Sequence, residues 1–304
     1  MAIALGQIRD LLLPGLMALT GQYDQIETQW KQIFKIHKSQ MALERSASVA
    51  YLPIAQIKQE GGATPFSNTA GERYVWNMEP IEVGLAYSIT RKAIADNLYK
   101  SVFTPTNLGL QKSFADFWEI EGAYILNTAS TYLTALGGDG VALLSTVHPV
   151  DGATVANTPT VALDLNEASL LASMTAIRRN FLNEAGLKIR ARARRLVVPP
   201  ELEAVAGRLT RSELRPGTAN NDPNMIPHLS GGLPDGYLVM DYLTSPYGWF
   251  LKTDIEGLIF LDREPFETDM WVDNVTDNLL VKGYQRGGFF YNDWRAMFGS
   301  MPSS

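Results

Sequence analysis

Apolar positions along the chain follow two alternating periods, three-to-four and two, and these divide it into helices and strands. Ile8, Leu11, Leu12, Met17 and Leu19 begin a helical arm, punctuated by Pro14-Gly15. A second amphipathic piece carries Ile26, Trp30, Ile33 and Phe34 at helical spacing. Two short segments of this kind bury their apolar faces only against something else. Residues 51–57 then read as extended, 59–71 are polar and glycine-rich, and 73–90 return to strand formers such as Tyr74, Val75, Trp76, Val83 and Tyr87. That is the pattern of a long hairpin with its tip between Gly61-Gly62 and Gly71. A two-stranded ribbon alone is marginal in water, so a projecting hairpin needs a supporting surface. Folding back onto its own domain is the other way to meet that need.

The strongest helical stripe comes next: Leu110, Phe114, Phe117, Trp118, Ile125, Ala129, Tyr132 and Leu136. It predicts a helix over 108–136, capped by Thr106 or Asn107 after Pro105 and stopped by Gly137-Gly138, with a shorter helix over 90–101 before it. Such a spine is about 40 Å long. Asp164 and Glu167 form a capping-box-like pair ahead of Leu170, Met174, Ile177 and Phe181, with Gly186 as the stop. Residues 195–198 read as a short strand, and Pro199-Pro200-Glu201 opens a helix with Leu202, Val205, Ala206 and Leu209 inward. A Gly-, Pro- and Asn-rich loop follows over 215–236. Strands are expected at 237–242, 248–252, 258–261 and 278–291, the last leading to Trp294 and Phe298. The sum is an α+β fold with mixed sheets.

Composition removes more than it adds. The 304 residues contain no cysteine, which excludes disulfides, thiol catalysis and thiolate metal centres. His37, His148 and His228 match no metal spacing. No cofactor and no metal are expected. A net charge of −6 argues against a dedicated reader of nucleic acid. No run approaches the roughly 20 apolar residues of a membrane helix. Residues 1–19 lack a basic leader and are broken by Arg9, Asp10 and Pro14, so synthesis and assembly in cytoplasm are expected.

Catalytic patterns are missing as well. There is no phosphate-binding glycine loop, no nucleophile elbow and no zinc helix. Gly137-Gly138-Asp139-Gly140 follows a helix, whereas a phosphate loop should precede one. His148 lies near Asp151, a base beside an orienting carboxylate, but a solvated or hydrogen-bonded loop histidine is the simpler reading. Asp262/Glu264 and Glu267/Asp269 alternate with apolar residues as a solvated strand would. Lys188, Arg190, Arg192, Arg194 and Arg195 are the one basic cluster. Arg190, Arg192 and Arg194 share a strand face opposite Ile189, Ala191 and Ala193. An ion-pair edge between subunits, a solvated edge strand and a DNA contact all fit that row.

The order of these pieces resembles the major capsid proteins of tailed bacteriophages with the Hong Kong-type (lambdoid) fold, most closely the Mu-like major head subunit group. The motifs that carry it run from Leu11-Leu12-Leu13-Pro14-Gly15-Leu16 and Trp30-Lys31-Gln32-Ile33-Phe34 to Gly84-Leu85-Ala86-Tyr87-Ser88-Ile89-Thr90 and Ala93-Ile94-Ala95-Asp96-Asn97-Leu98-Tyr99. Leu196-Val197-Val198-Pro199-Pro200, Tyr247-Gly248-Trp249-Phe250-Leu251 and Lys282-Gly283-Tyr284-Gln285-Arg286-Gly287-Gly288 with Asp293-Trp294-Arg295 complete the series. The resemblance implies an N-terminal arm at 1–50 and an extended loop at 51–90 that lies on a neighbouring subunit. It implies a peripheral domain from 91–160 and 266–304 around the spine helix, and an axial domain at 161–265.

The function implied is structural: hexamers and pentamers closing an icosahedral virion head around phage DNA held by weak, non-specific contact. Assembly residues would be Trp30, Phe34, Lys58, Glu60, Arg73, Trp76, Arg190, Arg192 and Arg194. A portal and a separate scaffolding protein are implied partners, the latter because the chain starts directly with the arm, and a decoration protein is left open. An encapsulin-like nanocompartment shell is the alternative on the same fold. An α+β hydrolase or binding protein using His148 or a loop carboxylate is the alternative from another class. Some members of the fold cross-link a loop lysine to a neighbour's asparagine, but 59–74 contains no lysine and Lys58 sits on the hairpin's shoulder. Mature particles should therefore give a single band at the subunit mass on denaturing gels, and a ladder would refute this.

Overall fold

A computed structural model describes residues 23, 26–49, 52–66, 71–95, 99–214, 223–229 and 232–302. The arm over 1–19, part of the hairpin tip and part of the 215–236 loop lie outside the described residues. The frame is two four-stranded sheets. The first has the order β1 (Lys35–Lys38), β10 (Leu258–Val272), β11 (Leu279–Tyr291), β4 (Ile81–Ile89). β1 runs parallel to β10, and the other pairs are antiparallel. The second has the order β12 (Met297–Ser300), β9 (Trp249–Thr253), β7 (Ala193–Val198), β8 (Tyr237–Val239), with only β7 and β8 parallel. Two small ribbons complete the strands: β2 (Glu44–Val49) with β3 (Glu72–Met78), and β5 (His148–Val150) with β6 (Ala153–Val155). This is the expected α+β class.

Among the described residues, four α-helices dress the sheets: α1 (Arg91–Ala95), α2 (Tyr99–Asn127), α3 (Glu167–Asn180) and α4 (Glu203–Arg211). α2 is the anticipated spine, 29 residues and about 43 Å long. It is displaced nine residues toward the N-terminus of the expected position. The helix passes through Pro105, which costs one backbone hydrogen bond without ending it. It stops at Asn127, whose side chain donates to the Tyr242 carbonyl and accepts from Thr244 N–H. Ala129 and Leu136 are buried as expected, but in turns packed on the same core. An apolar stripe records what faces the core, and turns can prolong it past a helix end.

Trp118 of α2 has no exposed surface and meets Phe260 at 5.2 Å and Phe289 at 6.0 Å between ring centres. Trp30 closes on the same pair at 4.5 and 5.1 Å, and Phe34 reaches Phe289 at 4.7 Å. The second amphipathic piece is therefore not a helix seeking an outside surface. It is one 3-10 turn, Trp30–Gln32, leading straight into β1, and its apolar residues bury within their own subunit. Glu119 of α2 accepts the Gln29 N–H, and burial pushes its carboxyl above the usual range. The core is continuous through both sheets.

The hairpin also differs in its parts. Its strands are β2 and β3, with Glu44 opposite Met78 and Ser46 opposite Trp76. Residues 52–66 form no strand. The segment expected as one strand over 73–90 splits at Glu79-Pro80 into β3 and β4, which belong to different sheets. β10 is far longer than the expected 258–261, because bulges between Asp262, Glu264 and Glu267 let it keep pairing with β11. Along that ribbon Arg286 faces Glu264 and Lys282 faces Asp269, each pair at 3.8 Å, so these carboxylates sit in a cross-strand charge ladder.

α3 keeps its predicted stripe, with Leu170, Met174, Ile177 and Phe181 all buried. Its capping box is Asn166 with Ser169 rather than Asp164 with Glu167: Asn166 Oδ1 accepts from Ser169 N, and Asn166 N donates to Ser169 Oγ. The helix ends at Asn180, before Gly186, which sits in a later turn at φ +74°.

Gly137 and Gly138 are not a helix stop but an edge laid beside β3. Asn77 N donates to Leu136 O, and Gly138 N donates to Val75 O. A Cβ on Gly138 would lie 2.2 Å from Trp76 Nε1, and its φ is +91°. Gly140 has a similar φ of +84° with open space around it. Gly140→Ala should lower the unfolding free energy by about 1 kcal/mol through backbone strain alone. Gly138→Ala, which adds the collision, should cost about 2–4 kcal/mol by urea denaturation of the soluble subunit. Equal losses would show that Trp76 yields without cost.

Candidate functional site

The residues anticipated at interfaces divide into two groups. Trp30, Phe34 and Trp76 are buried inside the subunit, so none is available as a surface anchor. Their burial corrects that expectation: large aromatic residues of the arm and the hairpin were read as contacts for a neighbour, and these three pack inside their own subunit. Arg73 is half-buried at the foot of the hairpin, where Nη1 donates to the Glu184 carbonyl and Nη2 lies 3.6 Å from Asp151 Oδ1. Its place is an internal clamp between the hairpin and the 182–187 turn. The other five lie on the surface: Lys58 and Glu60 in the 52–66 segment, and Arg190, Arg192 and Arg194 as an exposed row with Ala191 and Ala193 buried between them.

The strand alternation anticipated for that row is therefore present. It runs from the extended chain at 189–192 into β7. Arg194 makes two 3.0 Å bonds to Asp235, whose carboxyl this guanidinium holds below its ordinary range. Arg195 turns inward to the carbonyls of Asp235 and Gln32, tying β7 to the N-terminal 3-10 turn.

His148 is the hydrogen-bonded histidine of the simpler reading, but it is buried rather than solvated. It is fully buried and stacks on Trp294, with ring centres 4.2 Å apart and planes 6° from parallel. Its Nδ1 lies 2.7 Å from Asp139 Oδ2, and its Nε2 lies 3.2 Å from Asn157 Oδ1. The orienting carboxylate is thus Asp139, from the glycine-rich turn, rather than Asp151. Asn157 Nδ2 donates to the carbonyls of Leu143, Trp294 and Met297, while Oδ1 accepts from Ser145 N–H. Both ring nitrogens therefore face oxygen acceptors. A catalytic base must reach a substrate, and this imidazole has no exposed surface from which to do so. The geometry is that of a structural tie.

A second buried polar tie adjoins it. Arg295, whose guanidinium lies over the Trp294 ring at 4.5 Å, donates to the Leu182 carbonyl, to Glu184 Oε1 at 2.9 Å and to Asp293 Oδ1 at 3.1 Å. Nothing in the sequence marked Asn157 or Glu184, or gave Arg295 a partner, because each has a contact more than a hundred residues away. Among the described residues no group of three or more potential metal ligands converges, and no helix is long and apolar enough to cross a membrane.

Two surface features remain unpartnered. Leu52, Ile54, Ile57 and Phe66 in the 52–66 segment are 60, 71, 99 and 95% exposed. A groove of about 660 Å³ opens between α2 and β4, lined by Leu43, Ile81, Tyr124, Ile125, Leu133 and Phe289 with Glu79, Glu82, Glu121 and Arg286 also in its wall.

A subunit with a buried histidine tie and four large apolar side chains in water at 52–66 is open to more than one role. The family comparison decides it: the model of a family described as phage capsid protein matches residues 79–299. The chain belongs to the phage capsid protein family. Solved structures agree on the fold. The procapsid subunit of bacteriophage JBD30 superposes with a TM-score of 0.56 at 12% identity, covering 99% of this chain and 77% of that one. The mature capsid subunit of bacteriophage PhiM1 gives 0.57 at 10% identity, covering 91 and 88%. A virus-like particle from Pyrococcus furiosus gives 0.54 at 10% identity, covering 93 and 96%. No curated protein sequence matches the chain. The solved structures show the fold, and the family match is what places this protein among phage capsid proteins. The Hong Kong-type α+β fold is established, and the protein's role is structural.

Removing His148 from this capsid protein should act on stability. His148→Ala leaves Asp139 and Asn157 buried without their partner and should cost about 3 kcal/mol of unfolding free energy. Glu184→Ala, which removes one of the two carboxylates beside the buried Arg295, should cost about 1.5–3 kcal/mol. A loss under about 1 kcal/mol in urea denaturation for either would show that these ties are dispensable.

Proposed function

We propose that this capsid protein associates into hexamers and pentamers that close an icosahedral virion head, with the extended loop of each subunit lying on its neighbour. The 52–66 segment carries this reading. Four large apolar side chains on fifteen residues without strand pairing are costly to leave in water, and each contributes about 1.5–3 kcal/mol when buried. The groove between α2 and β4 offers a second copy the kind of apolar surface that the loop lacks in its own subunit. Obligate interfaces often bury more than about 2,000 Å², enough to offset the ordering of such a loop.

Within that head, the first sheet with α2 would be the peripheral domain, and the second sheet with α3 and α4 the axial domain that meets its copies at the ring centre. The sheets support this division better than a cut at 265/266, which would fall inside β10. The C-terminal chain contributes to both, β11 to the first sheet and β12 to the second. The motifs around Gly84-Thr90 and Lys282-Gly288 favour a place near the Mu-like major head subunits. A separate scaffolding protein, a portal and packaged double-stranded DNA would be its partners in the host cytoplasm. The acidic balance suits a wall that holds DNA weakly, because a tightly binding wall would hinder packing and ejection. No residue is assigned a catalytic role.

Electron microscopy of the purified protein, alone and after co-expression with its genomic neighbours, should show closed shells or five- and six-membered rings. Uniform small particles under both conditions would overturn the reading. Ile57→Ser with Phe66→Ser should abolish closed shells while shifting the subunit's thermal midpoint by less than about 2 °C, since side chains already in water stabilise the fold little. Unchanged shell yield would remove the loop from the interface.

A further inference from the structure

Exposed charge on the second sheet is divided between the two ends of its central strand. At the entry to β7 lie Lys188, Arg190, Arg192 and Arg194, all exposed. Arg194 is committed to Asp235. Among the described residues, no carboxylate pairs with the side chains of Lys188, Arg190 or Arg192. All three arginines line one cleft of about 510 Å³, opposite Pro227, Leu229 and Pro234. The cleft's own carboxylate, Asp254, accepts the backbone N–H of Arg192. Lys252 nearby is pushed below its ordinary range, first by burial and then by Arg195, which fits a local excess of positive charge.

At the exit of β7 the sign reverses. Pro199 and Pro200 stiffen the chain, and Glu201 and Glu203 follow, both exposed, in the 3-10 turn Pro200–Leu202 and the first turn of α4. No cation of the described residues pairs with either. The two ends are separated by roughly 20 Å of strand, too far for a subunit to satisfy one with the other.

We propose that in a ring of copies the arginine cleft of one subunit receives Glu201 and Glu203 of the next. A head-to-tail contact that closes into a ring needs two different, complementary patches on one chain, and β7 carries one at each end. Guanidinium groups suit this task because they bind carboxylates through two parallel donors, which fixes orientation as well as distance. Exposed ion pairs add little affinity on their own. Their work here is to set register and encounter rate, and to penalise wrong docking by like charge, while apolar contact elsewhere holds the ring. The inference rests on the shell reading above and assigns to one of its interfaces a partner surface.

The test is charge exchange in the full-length chain co-expressed with its genomic neighbours, reading shells by microscopy, DNA content by absorbance, and folding by circular dichroism. Arg190→Glu with Arg192→Glu, or Glu201→Arg with Glu203→Arg, should lower the yield of closed shells at least tenfold while thermal melting stays unchanged. All four changes together should restore the yield. Raising salt should slow assembly of the unaltered chain. Normal shells from either double variant would overturn the pairing, as would folded double variants that the fourfold exchange fails to rescue. Normal shells with less DNA would move the arginines to a DNA contact and equally overturn it. If the unaltered chain forms no shells, the shell reading itself fails, and the two failures are thereby distinguished.

Discussion

The rest of the molecule hangs on the aromatic contact among Trp30, Trp118, Phe260 and Phe289. Each ring comes from a different part of the chain: the N-terminal 3-10 turn, the spine helix, and the two long antiparallel strands. Such rings bury about 150–250 Å² each and prefer the tilted and edge-on arrangements found here. Because the contact joins residues 30 and 289, it closes nearly the whole chain around one point. The first sheet is built on β10 and β11 from this cluster outward, and β1 is fixed in parallel register beside them by the turn that carries Trp30.

A second constraint ties the two sheets into one body. The path from β11 to β12 passes through Asp293, Trp294 and Arg295, where apolar burial alone would leave a charged and a titratable side chain without partners. Arg295 is matched by Glu184 and Asp293, and His148 by Asp139 and Asn157, with Trp294 between the two groups. Matched buried polar groups of this kind are high-stakes: complete, they fix one arrangement, and incomplete, they are expensive. Arg73 extends the tie to the foot of the hairpin through Glu184 and Asp151. The loop is thus free at 52–66 and anchored at its base, which suits a segment that reaches outward from a fixed position.

Once the interior is closed in this way, what is left over is informative. Ile57 and Phe66 are left almost wholly in water, and Arg190 and Arg192 have no paired carboxylate among the described residues. Both become intelligible when the unit of stability is a ring or a shell. Each subunit completes its core alone, and in the proposed assembly copies would cover the surfaces left over.

The local code was legible. Period-3.6 stripes located the spine and the α3 face of Leu170, Met174, Ile177 and Phe181, since those faces are set by side-chain spacing along one helix. Alternation placed Arg190, Arg192 and Arg194 on one side of a strand for the same reason, and the family resemblance rested on the order of such pieces. Boundaries were less legible: the spine ends at Asn127 because residues 242–244 capture its side chain, and the capping box sits at Asn166 and Ser169 because either pair was chemically competent. Tertiary structure alone decided that Trp30, Phe34 and Trp76 face inward, and that His148 meets Asp139 and Asn157. The sequence determines which side of each element is apolar. What covers that side depends on contacts between residues up to 262 positions apart, which no local pattern encodes.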